Sequence, residues 1–115
     1  MPDATIWHNA RCSKSRQAKV LLEEAGLDIE VREYLKEPPT RAELDALLVA
    51  LGFDDPRAVM RTGEDAYTQL GLADADGDEL LDAIVGNPIL LERPIVVRHG
   101  RAVIGRPPER IRALL

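Results

Sequence analysis

The sequence has 115 residues, which is enough for one domain with a single hydrophobic core, and we expect one domain over residues 1–115. Hydrophobic residues make up 45% of the chain and charged residues 30%, a balance typical of globular proteins rather than disordered or fibrous ones. A net charge of -5 and only 3% aromatic residues argue against binding of nucleic acid or an anionic membrane, because those partners require clustered positive charge or stacking rings.

The sequence contains one cysteine, Cys12, so it cannot form an internal disulfide. The start "MPDATIW" has neither the basic segment nor the apolar run of a leader, and no stretch approaches the roughly 18 apolar residues of a membrane span. We therefore expect a monomer in the reducing cytoplasm.

Charge is distributed unevenly along the chain. Residues 54–82 carry nine acidic residues against two basic ones. Residues 93–112 carry six arginines against one glutamate, and residues 1–19 carry four basic residues against one acidic residue. If the two ends of the chain pack together, they form an electropositive region around Cys12.

The first predicted elements form a strand–helix–strand unit. "ATIWH" predicts a short strand, and "SKSRQAKVLLEEAG" predicts a helix with one face formed by Ala18, Leu21, Leu22 and Ala25. "DIEVREYL" predicts a second strand. Crossovers of this kind are right-handed, so the two strands should be parallel.

Helical patterns fill the middle of the chain. "KEPPTRAELDALLVALG" contains a capping box, Thr40 with Glu43, and its helix should end at Gly52. "DDPRAVMRTG" and "EDAYTQLGL" predict two shorter helical turns, and "GDELLDAIVG" predicts a further helix that closes at Gly86. We interpret residues of about 40–90 as a helical insertion.

The last segment, "RPIVVRHGRAVIGRPPERIRALL", predicts two strands, 95–97 and 102–104, joined by a turn at "HG". A final helix should open at Pro107 and Pro108, where a missing N–H costs nothing. The element order therefore predicts an α/β fold, in which βαβ and ββα halves share a mixed sheet and the helical insertion lies between them in sequence.

Cys12 lies in the predicted turn between the first strand and the first helix. Its sulfur should therefore be near free backbone N–H groups and the positive end of the helix dipole, which both stabilise a thiolate. Arg11, Lys14 and Arg16 add positive charge. The same arrangement binds a tetrahedral oxyanion. The alternative is an inert buried thiol that packs as a small hydrophobe.

Two neighbours of Cys12 have more than one interpretation. His8 could tune the thiol or donate a proton to it, or it could be structural. Ser15 stands where a second cysteine would complete a C-x-x-C redox pair, so any disulfide formed in turnover requires an outside thiol. Ser13 and Ser15 also fit ordinary positions at a helix start.

Two arginines immediately precede prolines, Arg93 before Pro94 and Arg106 before Pro107. A residue before proline is held in extended geometry, which can fix the direction of the guanidinium. Guanidinium groups suit phosphate-like oxyanions because they donate two parallel hydrogen bonds. Taken singly, each arginine could equally be a solvated surface residue.

Five segments carry a resemblance to a known family: "IWHNARCSKSR", "YLKEPPTRAEL", "VMRTGEDAYTQLGL", "NPILLERPIVV" and "IGRPPERI". They occur in order along essentially the whole chain. The sequence resembles the glutaredoxin-coupled, ArsC-like arsenate reductases, a branch of the thioredoxin-like superfamily.

The resemblance implies roles for individual residues. Cys12 matches the nucleophile, and His8 matches the histidine that helps to keep it ionised. Pro94 matches a cis-proline opposite the cysteine. The arginines that match the oxyanion site are Arg61, Arg93 and Arg106.

The implied activity is reduction of arsenate to arsenite through a Cys12–arsenate adduct, with glutathione as co-substrate and glutaredoxin as partner. No bound cofactor and no metal are implied. One alternative is a glutathione-dependent thiol oxidoreductase, in which the arginines hold a glutathione carboxylate. Others are a redox-sensing regulator that binds RNA polymerase, although Ser15 removes the C-x-x-C pair typical of such sensors, and an inactive relative that keeps the fold only.

Overall fold

The computed structural model describes residues 2–115, which fall into two compact units. The first unit combines residues 2–37 with Arg93–Leu115, and the second is Pro38–Glu92. The expected organisation as one domain with an insertion stays a prediction. No helix among residues 2–115 has the length and apolar character needed to cross a membrane.

The first unit contains a four-stranded sheet with the order β2-β1-β3-β4. β1 and β2 are parallel, with Ala4 opposite Ile29, whereas β3 is antiparallel to both β1 and β4. This confirms the predicted α/β class and mixed sheet. The strands are β1 (Ala4–Trp7), β2 (Ile29–Arg32), β3 (Ile95–Arg98) and β4 (Arg101–Ile104).

One face of this sheet is covered by helix α1 (Ser13–Glu24) and a C-terminal 3₁₀ helix (Pro108–Leu114). Alternate residues of β1 point to this face, because successive side chains of a strand point to opposite faces. Residues four apart on α1 meet them, because they lie on the same face of a helix. Ala25 was expected on the buried face of the helix but is exposed, because α1 ends before it. The buried cluster consists of Ala4, Ile6, Ala18, Leu22, Val96, Ile111 and Leu114.

The β3–β4 turn and the C-terminal helix follow the local sequence. His99 and Gly100 have φ values of 52° and 75°, the pair of positive φ angles that matches the twist of a two-residue hairpin. The final helix is 3₁₀ rather than α, with Arg110 N–H donating to Pro107 O over three residues. Two successive prolines supply no N–H donors to this short segment.

The second unit begins with helix α2 (Arg41–Leu51). Both bonds of the predicted capping box are present: Glu43 N–H donates to Thr40 Oγ1 at 3.1 Å, and Thr40 N–H donates to Glu43 Oε1 at 3.0 Å. Gly52 follows the helix with a φ of 76°, the left-handed geometry that lets the chain turn away.

Short helices make up the remainder of the second unit. They are 3₁₀ helices Pro56–Val59, Leu72–Asp74 and Pro88–Leu90, together with α3 (Asp65–Gln69) and α4 (Gly77–Gly86). The predicted helical middle of the chain is thus observed. Gly86 is the last residue of α4 rather than its stop, since Asn87 caps the helix with a φ of -141°. Buried apolar residues of this unit are Leu44, Leu47, Leu48, Val59, Met60, Leu72, Leu80, Leu81, Ile84, Leu90 and Leu91.

The Arg57 side chain donates hydrogen bonds to several loop residues of the second unit. Its Nε donates to Tyr67 Oη at 3.2 Å. Its Nη2 donates to the backbone oxygens of Leu72, Ala73 and Ala75 at 2.8, 3.1 and 2.7 Å. A guanidinium has five donors in a fixed fork, which allows one side chain to satisfy several carbonyls that would otherwise lack partners.

Candidate functional site

Cys12 is the N-cap of α1 and is half-buried. The turn that precedes it closes through Cys12 N–H, which donates to Asn9 O at 3.0 Å, and the helix opens with Arg16 N–H donating to Cys12 O at 3.1 Å. An N-cap side chain lies beside the first N–H groups of the helix, which have no partner within it. The sulfur therefore lies near the positive end of α1.

The surroundings of the thiol favour its ionised form. Partial burial raises the pKa of Cys12, but the backbone N–H of Ser15, the Arg93 guanidinium and the backbone N–H of Lys14 outweigh burial and hold the pKa below its ordinary value. The Cys12 side chain itself makes no capping hydrogen bond to α1 among residues 2–115. A thiolate is the nucleophilic form of cysteine.

Arg93 presents donors to the same region. Its Nε and Nη1 atoms are buried, and no residue between positions 2 and 115 accepts a hydrogen bond from them. Its peptide bond to Pro94 is cis. Buried polar groups nearly always have a partner, and leaving a charged one without a partner is costly. An incoming anion would supply an acceptor that these donors lack in the protein.

Arg106 completes the cluster from the end of β4. Its Nη1 lies 3.9 Å from Cys12 Sγ and donates to Arg93 O at 3.1 Å. Cys12 and Arg106 are 94 positions apart in sequence, so the first unit does bring the basic ends of the chain together. The Cys12 thiol, Arg93 and Arg106 therefore form one cluster.

Gly105 allows the segments carrying Arg93 and Arg106 to approach each other. Its N–H donates to Pro94 O at 2.8 Å. A Cβ at this position would lie 2.9 Å from Pro94 Cγ and 3.2 Å from Ile111 Cγ2, closer than side chains normally pack. Only glycine fits this approach. The peptide bond between Arg106 and Pro107 is cis, as is the bond between Arg93 and Pro94.

His8 is buried at the end of β1, with 5% of its surface exposed. Burial lowers its pKa, and the positive charges of Lys19 and Arg16 lower it further, so the ring is neutral at pH 7. Its Nδ1 lies 2.9 Å from Ser15 Oγ, whereas within residues 2–115 it makes no hydrogen bond to the Cys12 sulfur. The role of His8 in keeping the thiol ionised stays a prediction.

Arg61 belongs to the second unit. Its backbone N–H donates to Leu90 O at 2.6 Å, and its Nε donates to Glu64 Oε1 at 3.0 Å. Its membership of the oxyanion site stays a prediction. In the part of the chain that the structure describes, no group of three or more His, Cys, Asp or Glu side chains could hold a metal ion.

Known proteins are similar to this chain in sequence and in fold. The model of the ArsC family matches residues 7–114. The chain belongs to the ArsC family. It is 50% identical over 117 aligned positions to the "Arsenate reductase" of Neisseria meningitidis serogroup B (strain ATCC BAA-335 / MC58), with both chains covered completely. It is also 51% identical over 108 positions to Escherichia coli (strain K12) "Uncharacterized protein YfgD", which covers 92% of this chain and 91% of that protein.

Solved structures of the ArsC family have the same fold. The "Arsenate reductase from Vibrio cholerae" superposes with a TM-score of 0.95 at 43% identity, and the match covers 97% of each chain. This confirms the family assignment and the thioredoxin-like fold that the resemblance implied.

Three features of this ArsC-family site were not predicted from the sequence. They are the Ser15–His8 hydrogen bond, the tight contact at Gly105 and the second cis bond at Pro107. The glycine before Arg106 was a usable signal, because a glycine directly after a strand often marks a close approach of two backbones. The Ser15–His8 bond depends on how β1 and α1 pack, and no sequence pattern indicates it.

Proposed function

We propose that this member of the ArsC family reduces arsenate to arsenite, with Cys12 as nucleophile and glutathione as the source of electrons. The observation that carries the proposal is the pair of buried, unpartnered donors on Arg93, which lie in the same cluster as an activated thiol. The name of the Neisseria meningitidis relative, identical at 50% of positions, agrees with this activity.

In the first step the Cys12 thiolate attacks arsenic(V) in arsenate. A sulfur–arsenic bond forms, an arsenic–oxygen bond breaks, and the oxygen leaves as hydroxide that becomes water on protonation. Arsenic keeps its oxidation state here. Arg93 and Arg106 offset the negative charge on the remaining oxygens, and the resemblance assigns Arg61 the same role.

In the second step a glutathione thiolate attacks the sulfur of the Cys12 adduct. A sulfur–sulfur bond forms and the sulfur–arsenic bond breaks with its electron pair going to arsenic, so arsenic(V) becomes arsenic(III) and arsenite leaves. The sulfurs are oxidised to a mixed disulfide between Cys12 and glutathione. The sequence contains no second cysteine, and Ser15 occupies the position of a resolving thiol, so the electrons must come from outside the chain.

Glutaredoxin then removes the glutathione by thiol–disulfide exchange, which restores the Cys12 thiolate. No bound cofactor and no metal take part in this scheme. A cytoplasmic location belongs to the same proposal, because the exchange needs a reduced glutathione pool. We also propose that the chain acts as a monomer.

An assay of arsenate-dependent NADPH oxidation, coupled through glutathione, glutaredoxin and glutathione reductase, tests the proposal. We expect turnover by the natural chain, none by Cys12→Ser, and normal turnover by Ser13→Ala, which alters an exposed neighbour. A natural chain that reduces glutathione mixed disulfides but not arsenate would replace the proposal with the alternative thiol oxidoreductase.

A further inference from the structure

Ser15 is a fully buried polar residue in the first turn of α1, with 0% of its surface exposed. Its Oγ accepts a hydrogen bond from Asn9 N–H at 3.1 Å and lies 2.9 Å from His8 Nδ1. A hydroxyl has one proton to donate. Among residues 2–115, Nδ1 is the only acceptor within hydrogen-bond distance of this buried hydroxyl, so we assign its proton to Nδ1. A neutral ring then carries its own proton on Nε2.

We propose that Ser15 is a positioning residue for Cys12: through His8 and Asn9, its hydroxyl fixes the turn that holds the sulfur at the start of α1. The consequence for turnover rests on the proposed function. The consequence for the thiol itself does not, because the ionisation of Cys12 can be measured without arsenate.

Asn9 connects the Ser15 hydroxyl to the nucleophile. Asn9 N–H donates to Ser15 Oγ, while Asn9 O accepts from Cys12 N–H at 3.0 Å. The Asn9 side chain also accepts from Arg11 N–H at 3.0 Å. The backbone N–H of Ser15 faces the sulfur at the other end of the turn. A single residue thus bonds the start of the turn with its hydroxyl and lowers the pKa of the thiol with its amide.

The charged groups around the pair determine how it can act. His8 faces Lys19 and Arg16 on α1 and Glu33 after β2, and the net effect keeps the ring uncharged. A neutral His8 supplies a hydrogen-bond acceptor rather than a positive charge to this region. Any influence of the Ser15–His8 pair on the thiol is therefore an influence on geometry, whereas Arg93 and Arg106 supply the charge.

Replacing Ser15 with alanine tests the proposal, with Ser13→Ala as the matched control on the same helix. The variant would leave Asn9 N–H and His8 Nδ1 without their partner, so the turn should loosen and the Ser15 amide should move from the sulfur. We expect the pKa of the Cys12 thiol, followed by the ultraviolet absorbance of the thiolate, to rise by about one unit, a tenfold change in its ionisation constant. Ser13→Ala should titrate as the natural chain does.

In the coupled assay, Ser15→Ala should lower kcat by a similar factor and leave KM for arsenate unchanged. A Ser15→Ala thiol that titrates as in the natural chain would overturn the proposal, whatever happens to stability. If the natural chain fails to reduce arsenate while Ser15→Ala still shifts the thiol titration, the proposed function fails and the positioning role stands.

A measurement on the unaltered chain covers the case in which Ser15→Ala does not fold. Nitrogen-15 NMR of the imidazole distinguishes the two neutral tautomers. We expect an unprotonated His8 Nδ1 at pH 7 that accepts the Ser15 proton, and a His8 pKa below about 6.5. A His8 Nδ1 signal typical of a ring nitrogen without a hydrogen bond would contradict the proposal, because Ser15 would then not hold His8.

Discussion

Arg57 and Arg93 use the same side chain in opposite ways. In the second unit, Arg57 is surrounded by acceptors: a tyrosine hydroxyl and three backbone carbonyls within 3.2 Å. In the first unit, two nitrogens of Arg93 are buried without any acceptor among residues 2–115. Arg57 is thus satisfied by the protein, whereas Arg93 has donors left for a ligand.

The difference indicates how to distinguish a structural arginine from a binding one. Both arginines precede short buried segments and both have positive charge, so composition alone does not separate them. The number of protein acceptors does. Arg57 makes four side-chain hydrogen bonds, which stabilise the fold, whereas Arg93 leaves two buried nitrogens without an acceptor among residues 2–115. Arg41 and Arg98 each leave only Nε without one, and their Nη1 atoms have protein acceptors.

The largest effect should come from Arg93→Ala. The change removes preorganised donors from the oxyanion, so kcat/KM for arsenate should fall about a hundredfold, since one such group contributes about 3 kcal/mol to a charged transition state. The midpoint of urea unfolding should change little, because the fold loses no protein hydrogen bond from Nε or Nη1. A large loss of stability with normal turnover would assign Arg93 the structural role instead.

Arg57→Ala should show the reverse pattern. Three loop carbonyls and the Tyr67 hydroxyl would lose their donor, and we expect the free energy of unfolding to fall by about 2–4 kcal/mol, at roughly 0.5–1 kcal/mol for each of the four bonds. Alkylation of Cys12 should follow the same pH profile as in the natural chain. If the midpoint of urea unfolding is the same for Arg57→Ala and the natural chain, the loops of the second unit do not depend on this side chain.

Gly105→Ala tests whether the close contact with Pro94 holds Arg93 in place within the first unit. The added methyl group would press on the Pro94 ring at 2.9 Å, so we expect stability to decrease by about 1–2 kcal/mol and arsenate turnover to fall as Arg93 shifts. Gly86→Ala is a suitable control, because a Cβ there meets nothing within 4 Å. Equal stability for the two variants would show that the contact at Pro94 is not tight.

The smallest effect concerns pH and His8. The pKa of His8 is lowered by burial, so the unfolded chain binds this proton more readily than the folded one. The stability linked to His8 is therefore complete above about pH 6.5 and is lost as the pH falls through the lower folded pKa. The difference in unfolding free energy between the natural chain and His8→Asn should shrink over that window. A difference that is constant from pH 7.5 to 5 would mean that His8 does not titrate abnormally.

Much of the fold follows from local sequence patterns. Short apolar runs bounded by turn residues predicted the four strands, and the parallel β1–β2 pair followed from the crossover rule. Thr40 and Glu43 predicted the start of α2 for the local reason that their side chains satisfy backbone donors of the same turn. Such features depend only on residues a few positions apart.

The remainder depends on contacts between distant segments. The buried state of Ser15 and His8, the saturation of Arg57 and the contact of Gly105 with Pro94 each depend on residues that folding alone brings together. The cluster of Cys12 with Arg93 and Arg106 was predictable in outline, because both ends of the chain are basic and these two arginines each precede a proline. Which donors remained unpartnered could be learned only from the packed structure.

The central claim, that Cys12 is kept ionised in a site built for an anion, is tested most directly by the pH dependence of its alkylation in the natural chain. We expect the midpoint below the ~8.5 of a free cysteine, because the N–H groups of Ser15 and Lys14 and the Arg93 guanidinium outweigh burial. Arsenate should also protect the thiol from the reagent. A midpoint at or above 8.5, with no protection by arsenate, would contradict the claim.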